Sequence, residues 1–174
     1  MANRSTLMFS ADGVYSIDTA ASGVLAWSYC IPVLWFALFH QEDLRFHLHT
    51  EGDHSWNMPY LVTTASKARA NLAKRRDSLT MLLGQPKFNP YELETPPGLH
   101  GLQTLEKALE PARDYVILDP WELFTLGVSD LDKLMTESIT AIDSKNLQPL
   151  MKFASTRVDC DEDYQAYCGY PWST

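Results

Sequence analysis

The sequence predicts an α+β fold in which several helices pack on a small, mostly antiparallel sheet, as a single globular domain over residues 1–174. Three observations carry this expectation. Short β-rich runs such as "STLMFS" at 5–10 and "YVIL" at 115–118 are bounded by turn signals. A long segment from about Thr64 to Leu83 repeats its apolar residues at near-helical spacing. The 174 residues, 45% apolar and 21% charged, suit one buried core rather than two.

The elements follow in chain order. After the first strand, "ADG" at 11–13 reads as a turn, since Gly13 can take a positive φ, and Val14 to Ile17 is expected to return as a second strand. Thr19 to Phe39 carries no charge over 21 residues, about the length that spans a bilayer. Pro32, Ser22, Gly23, Ser28 and Tyr29 interrupt it, and no Lys or Arg asymmetry flanks it, so the expectation is a buried strand or loop leading into a core helix, with no membrane association. Pro32 suits the first turn of that helix, placed at about 32 to 40 with Leu34, Trp35, Leu38 and Phe39 on one apolar face.

The helix from about Thr64 to Leu83 carries Leu61, Ala65, Ala68, Leu72, Leu79 and Leu83 on its stripe, interrupted at Arg75 and Arg76, and Gly84 with Pro86 stops it. Its other face is basic through Lys67, Arg69, Lys74, Arg75 and Arg76. Without interleaved aromatics this reads as a solvated face whose charges pair with the acidic second half, rather than a nucleic-acid surface. Residues 85–98 hold four prolines and form a surface connection. Leu102, Leu105 and Leu109 mark a helix ending near Pro111. In "DPWE", Asp119 can cap, Pro120 takes the first helical position and Glu122 completes a capping box. In "SDLD", Ser129 caps a helix striped by Leu131, Leu134, Met135, Ile139 and Ile142. Asn146 is expected to cap a helix through Ala154, and a short helix near the end stops at Gly169.

Charge narrows the partners. The net charge is −8, and residues 87–174 hold fifteen acidic against seven basic side chains, whereas residues 1–86 hold seven of each. A chain so charged is not built to neutralise a polyanion, so no nucleic acid is expected; a basic protein partner is. Cys30, Cys160 and Cys168 cannot all pair within one chain and form no CxxC, and the start lacks an apolar core long enough for a secretory signal. Both point to a reduced, cytoplasmic setting.

The stretch "FHQEDLRFHLHTEGDHSW" at 39–56 raises the question of metal chemistry, holding His40, His47, His49 and His54. If Leu44 to His49 is a strand, alternation places Leu44, Phe46 and Leu48 on one face and Arg45, His47 and His49 on the other. Histidines at i and i+2 stand roughly 6 to 7 Å apart, close enough to chelate an ion, with His54, Glu51 or Asp53 as a third ligand. H-x-H alone is a weak signature, and Arg45 would repel a cation, so no metal, cofactor or catalytic residue is assigned; a metal-dependent enzyme centred on His47 and His49 is the alternative reading. Cys160, among Asp159, Asp161, Glu162 and Asp163, sits in a field that disfavours a thiolate, and no G-x-S-x-G, P-loop or G-x-G-x-x-G occurs.

A binding reading explains more. Asp159, Asp161, Glu162 and Asp163 are followed by Tyr164, Tyr167, Tyr170 and Trp172, and acids beside aromatics suit an interface with a basic partner. The expected partner-binding residues are Asp159, Asp161, Glu162, Asp163 and Tyr164, and secondarily Glu42, Asp43, Glu51 and Asp53.

The opening "MANRSTL", "IPVLW", "DPWEL" and the closing "GYPWS" resemble a family of small uncharacterised bacterial proteins that begin M-A-N-R-S-x-L and end in G-x-P-W; Thr6 stands where an aromatic is more usual. That family resembles, in size and acidity, the cytosolic immunity proteins with which bacteria neutralise toxins. The resemblance implies a non-enzymatic binding protein that occludes a toxin enzyme such as a nuclease, and it carries over no catalytic residue. Oligomeric state is left open.

Overall fold

The computed structural model describes residues 4–15, 23–28, 30–89, 92–112, 114–125, 127, 130–146 and 165–171. The expected architecture is present: helices on an antiparallel sheet. Its strands are β1 (Arg4–Ser10), β2 (Gly23–Ser28), β3 (Leu44–Glu51), β4 (His54–Thr64), β5 (Tyr115–Asp119) and the two-residue β6 (Tyr170–Pro171), in the order β3-β4-β5-β1-β2-β6. Every neighbouring pair is antiparallel. The helices are α1 (Ala65–Leu83), α2 (Pro97–Leu109), α3 (Trp121–Thr125), α4 (Leu131–Asp143) and α5 (Gln165–Cys168).

Strand alternation divides the sheet into two unlike faces. Leu7, Leu25, Leu61, Val116 and Leu118 point to one face and join a single large core with α1, α2 and α4. Thr64 caps α1 by accepting the Lys67 N–H at 3.2 Å, satisfying one of the donors a helix start leaves free.

The uncharged segment Ile31–Phe39 is the centre of that core, as expected, but its form differs from the expected α-helix. It is a 3₁₀ helix, Val33–Leu38, with every residue buried and no polar face at all. Full burial makes its backbone carbonyls the difficulty, because unpaired ones would cost free energy. Side chains from α1 solve it. Arg75 Nη1 donates to the Ala37 and Phe39 carbonyls, both at 2.8 Å, and Asn71 donates to the Leu38 carbonyl at 2.9 Å. Trp35, fully buried, donates its indole N–H to the Cys168 carbonyl at 2.7 Å, which ties the C-terminal α5 to the same segment. Gly169 follows at φ +77, where an added Cβ would stand 2.6 Å from the Trp35 ring.

Arg75 therefore corrects the reading of a wholly solvated basic face: it is only 7% exposed and is ion-paired to Asp143 of α4 at 2.8 Å. The rest of that face is as expected at Arg76, Lys67 and Lys74, while Arg69 meets backbone carbonyls rather than acids. Arg76 pairs with Glu106 of α2 at 2.7 Å, and Arg69 donates to the carbonyls of Leu109 and Ala112. Lys67 and Lys74 remain exposed. No helix among the described residues is long and apolar enough to cross a membrane.

Three further expectations change. Gly13 does turn the chain at φ +71, but Val14 and Tyr15 are not a strand, and the partner of β1 is Gly23–Ser28 instead. Tyr15 leaves the strand path to lie over the second sheet face, where its ring is buried. At "DPWE", Asp119 accepts the Trp121 N–H at 2.8 Å as a cap should, yet Glu122 turns away from the box and accepts the Arg4 N–H at 2.6 Å. Helix α4 starts at Leu131, preceded by Asp130 in a left-handed conformation; Ser129 and the helix expected through Ala154 lie outside the described residues.

Replacing Arg75 by Ala strands the Ala37 and Phe39 carbonyls and is expected to cost about 3 kcal/mol, because buried charge-assisted hydrogen bonds are among the larger single terms. Asp143 is half exposed, so Asp143→Asn is expected to cost about 1 kcal/mol or less. Urea unfolding of both variants checks the ranking, and equal losses would show that the ion pair rather than the carbonyl contacts dominates.

Candidate functional site

Among the described residues no long helix covers the second face of the sheet. Its centre is a small apolar cluster of Met8, Tyr15, Met58 and Ile117, with Tyr60, Val62, Trp121 and Phe124 packed around it. The last two arrive on α3, which Asp119 holds in place. Asp119 is 4% exposed and accepts both the Tyr15 hydroxyl at 2.9 Å and the Trp121 N–H at 2.8 Å on the same oxygen. Those donors favour the carboxylate, but desolvation outweighs them and raises its pKa to about 6. Burial, with the adjoining Asp119 carboxylate, pushes the Tyr15 hydroxyl up, so it stays a donor.

From this cluster toward the tip of the β3–β4 hairpin the face opens. The register pairs His47 with Met58, His49 with Trp56 and Glu51 with His54, so all of these share the second face. His47 meets the Tyr15 ring edge-on at 5.1 Å. His49 packs against Trp56 at 5.8 Å and edge-on to Trp121 at 4.6 Å, His54 stacks on Trp56 at 6.0 Å, and Trp121 stacks on Phe124 at 6.2 Å. A groove of about 510 Å³ lies between the hairpin and α3, lined by His49, Glu51 and Trp56 of the hairpin and by Trp121, Phe124, Thr125 and Gly127.

The alternation expected for Leu44 to His49 is present, but its burial runs opposite to the usual pattern. His47 and His49 are half-buried among rings, whereas Phe46 is 54% and Leu48 62% exposed on the helix-bearing face. Of these three apolar residues Leu44 alone packs on the main core, and among the described residues the hairpin projects past the helical layer. The imidazoles serve as flat packing groups. No group of three His, Cys, Asp or Glu placed to hold an ion occurs among the described residues, and Arg45 curls back onto the carbonyls of Glu42 and Leu44. Cys168 is a free thiol, pushed up to about 12 by burial.

The acidic residues singled out in the sequence divide. Glu51 and Asp53 stand exposed at the hairpin tip, and Glu42 is exposed beyond the other end of β3. Asp43 does not share that surface: it is 5% exposed and its carboxylate accepts the His40 N–H at 2.8 Å, capping the turn Gln41–Asp43. Asp159, Asp161, Glu162, Asp163 and Tyr164 lie outside the described residues. Sequence reasoning missed Tyr15, Trp56, Asp119, Trp121 and Phe124. Alternation across "HSWNMPYLVTT" could have found β4 and with it Trp56. Nothing local could have brought Tyr15 to Asp119, since 104 residues separate them.

No protein-family model, no curated protein and no solved structure matches the chain.

Asp119 has a testable signature. Its folded-state pKa of about 6 exceeds the ordinary 3.8, so the stability it contributes is full below about pH 4 and is lost as pH rises through 6. Asp119→Asn keeps an acceptor for both donors without the buried charge. The variant is expected to gain about 1 to 3 kcal/mol over wild type between pH 4 and pH 7. Unfolding measured across that range checks it; a pH-independent difference would mean that Asp119 keeps an ordinary pKa.

Proposed function

We propose that this chain is a non-enzymatic binding protein that neutralises a basic protein, in the manner of a cytosolic immunity protein occluding a toxin enzyme such as a nuclease. The observation that carries the reading is the outer half of the β3–β4 hairpin. Phe46, Leu48 and Trp56 are 54%, 62% and 38% exposed there, on both faces of one projecting element, with Glu51 and Asp53 at its tip.

Apolar side chains displayed together on a projecting hairpin favour a docking surface, since among the described residues none of the three belongs to either core cluster. Flanking carboxylates on a protein of net charge −8 favour a basic partner by steering its approach and penalising acidic competitors. A nuclease presents such a surface where it holds its polyanionic substrate. The family resemblance agrees with this reading, and the acids at 159–163 with Tyr164 add to the same charge complementarity from sequence alone.

Co-expression with the product of the adjacent reading frame tests the proposal, with growth protection and complex formation as readouts. Leu48→Asp combined with Trp56→Ala is expected to weaken the complex at least tenfold, as truncation of interface anchors does, with the fold intact. Charge reversal at Glu51 and Asp53 should slow association and flatten its salt dependence. Protection untouched by all four changes would remove the hairpin from the interface; a neighbouring product that is neither toxic nor bound would remove the immunity reading.

A further inference from the structure

The groove beside the hairpin has a chemistry of its own. Trp56, Trp121 and Phe124 present aromatic rings to it, His49 wedges between the two indoles, and Glu51 supplies a carboxylate at its mouth. No Lys or Arg lines it among the described residues. We infer that this groove is a cation cage whose occupant is a guanidinium group, the side chain of an arginine on the partner.

The electron-rich faces of indole and phenyl rings attract cations, and a carboxylate at the rim adds direct Coulomb attraction and an acceptor pair for a planar fork. Guanidinium suits the site better than ammonium because it is weakly hydrated and stacks on rings, so less is lost on leaving water. A nucleotide could also stack here, but Glu51 and the nearby Asp53 would oppose its phosphates, and no cation is present to offset them. The rings are held before any ligand arrives. Asp119 caps α3 and so fixes Trp121 and Phe124, while the β3–β4 register fixes His49 and Trp56. Such preorganisation lowers the ordering cost of binding.

The identity of the occupant as a partner's side chain rests on the binding reading above; the cage itself rests on geometry. N-acetyl-arginine methylamide and its citrulline counterpart, equal in shape and different in charge, are the probes. Titration is followed by tryptophan fluorescence and by the indole N–H resonances of Trp56 and Trp121. Saturable binding of the arginine probe is expected, with citrulline about tenfold weaker, since the cation is the recognised feature. Glu51→Gln, an exposed change that leaves the fold intact, should weaken arginine binding about fivefold, and Trp56→Ala by more. Equal affinity for the two probes, no effect of Glu51→Gln, or tighter binding of adenosine or glucose than of arginine would overturn the inference. If a partner depends on the hairpin while the arginine probe fails to bind, the cage alone falls; if the probe binds while no partner uses the hairpin, the immunity reading alone falls.

Discussion

The bonds from Arg75 to the Ala37 and Phe39 carbonyls are the constraint on which the fold depends. They permit an entirely apolar segment to cross the middle of the protein as a 3₁₀ helix, a form that leaves carbonyls unpaired at its end. A guanidinium can serve two carbonyls and a carboxylate together because its donors are fixed in a plane, a geometry that lysine lacks. Through Asp143 the same group fastens α4, and through Trp35 the buried segment holds α5. One side chain of α1 thus joins the buried segment to α4, and that segment in turn holds α5.

That arrangement places the three long helices among the described residues, α1, α2 and α4, on one side of the sheet and leaves the other to local devices. Tyr15 and the short α3 close the second face over its centre, with Asp119 joining them. A buried carboxylate is an unfavourable way to hold two elements together, and its raised pKa records that cost. What it secures is position: Trp121 and Phe124 stand at fixed places beside the hairpin. Stability given up at one buried acid is matched by rigidity at the groove.

The hairpin is the counterpart of this economy. Its base, at Leu44 and Leu61, belongs to the main core, and among the described residues its outer half has neither helix above nor strand beyond β3. Exposed Phe46 and Leu48 on one side and the imidazole–indole row on the other make it two-faced. An edge strand with apolar side chains is a hazard unless charge limits its pairing, and Glu51 and Asp53 at the tip supply that charge. The same features that limit indiscriminate association favour a chosen, basic partner.

Local rules made much of this legible. The period of Ala65 to Leu83, the β-rich "YVIL", the turn at Gly13 and the stop at Gly169 each follow from chemistry within a few residues. The α+β class and the apolar fate of Ile31–Phe39 follow from composition and pattern. The rest depends on neighbours distant in sequence. Arg75 looked like one of several surface cations because burial of a charge is decided by what it meets, here two carbonyls 36 and 38 residues away. Alternation alone puts His47 and His49 on one face, but only the register brings them against Tyr15, Trp56 and Trp121, and Asp43 reads as a surface acid although it accepts the His40 N–H. Periodicity and local hydrogen bonding are readable along the chain, so α1, α2, α4, β5 and the buried fate of Ile31–Phe39 follow from residues close in sequence. Only the tertiary structure decided which charges are buried and which rings gather into a groove, because desolvation and long-range pairing act between residues that the chain brings together only once folded.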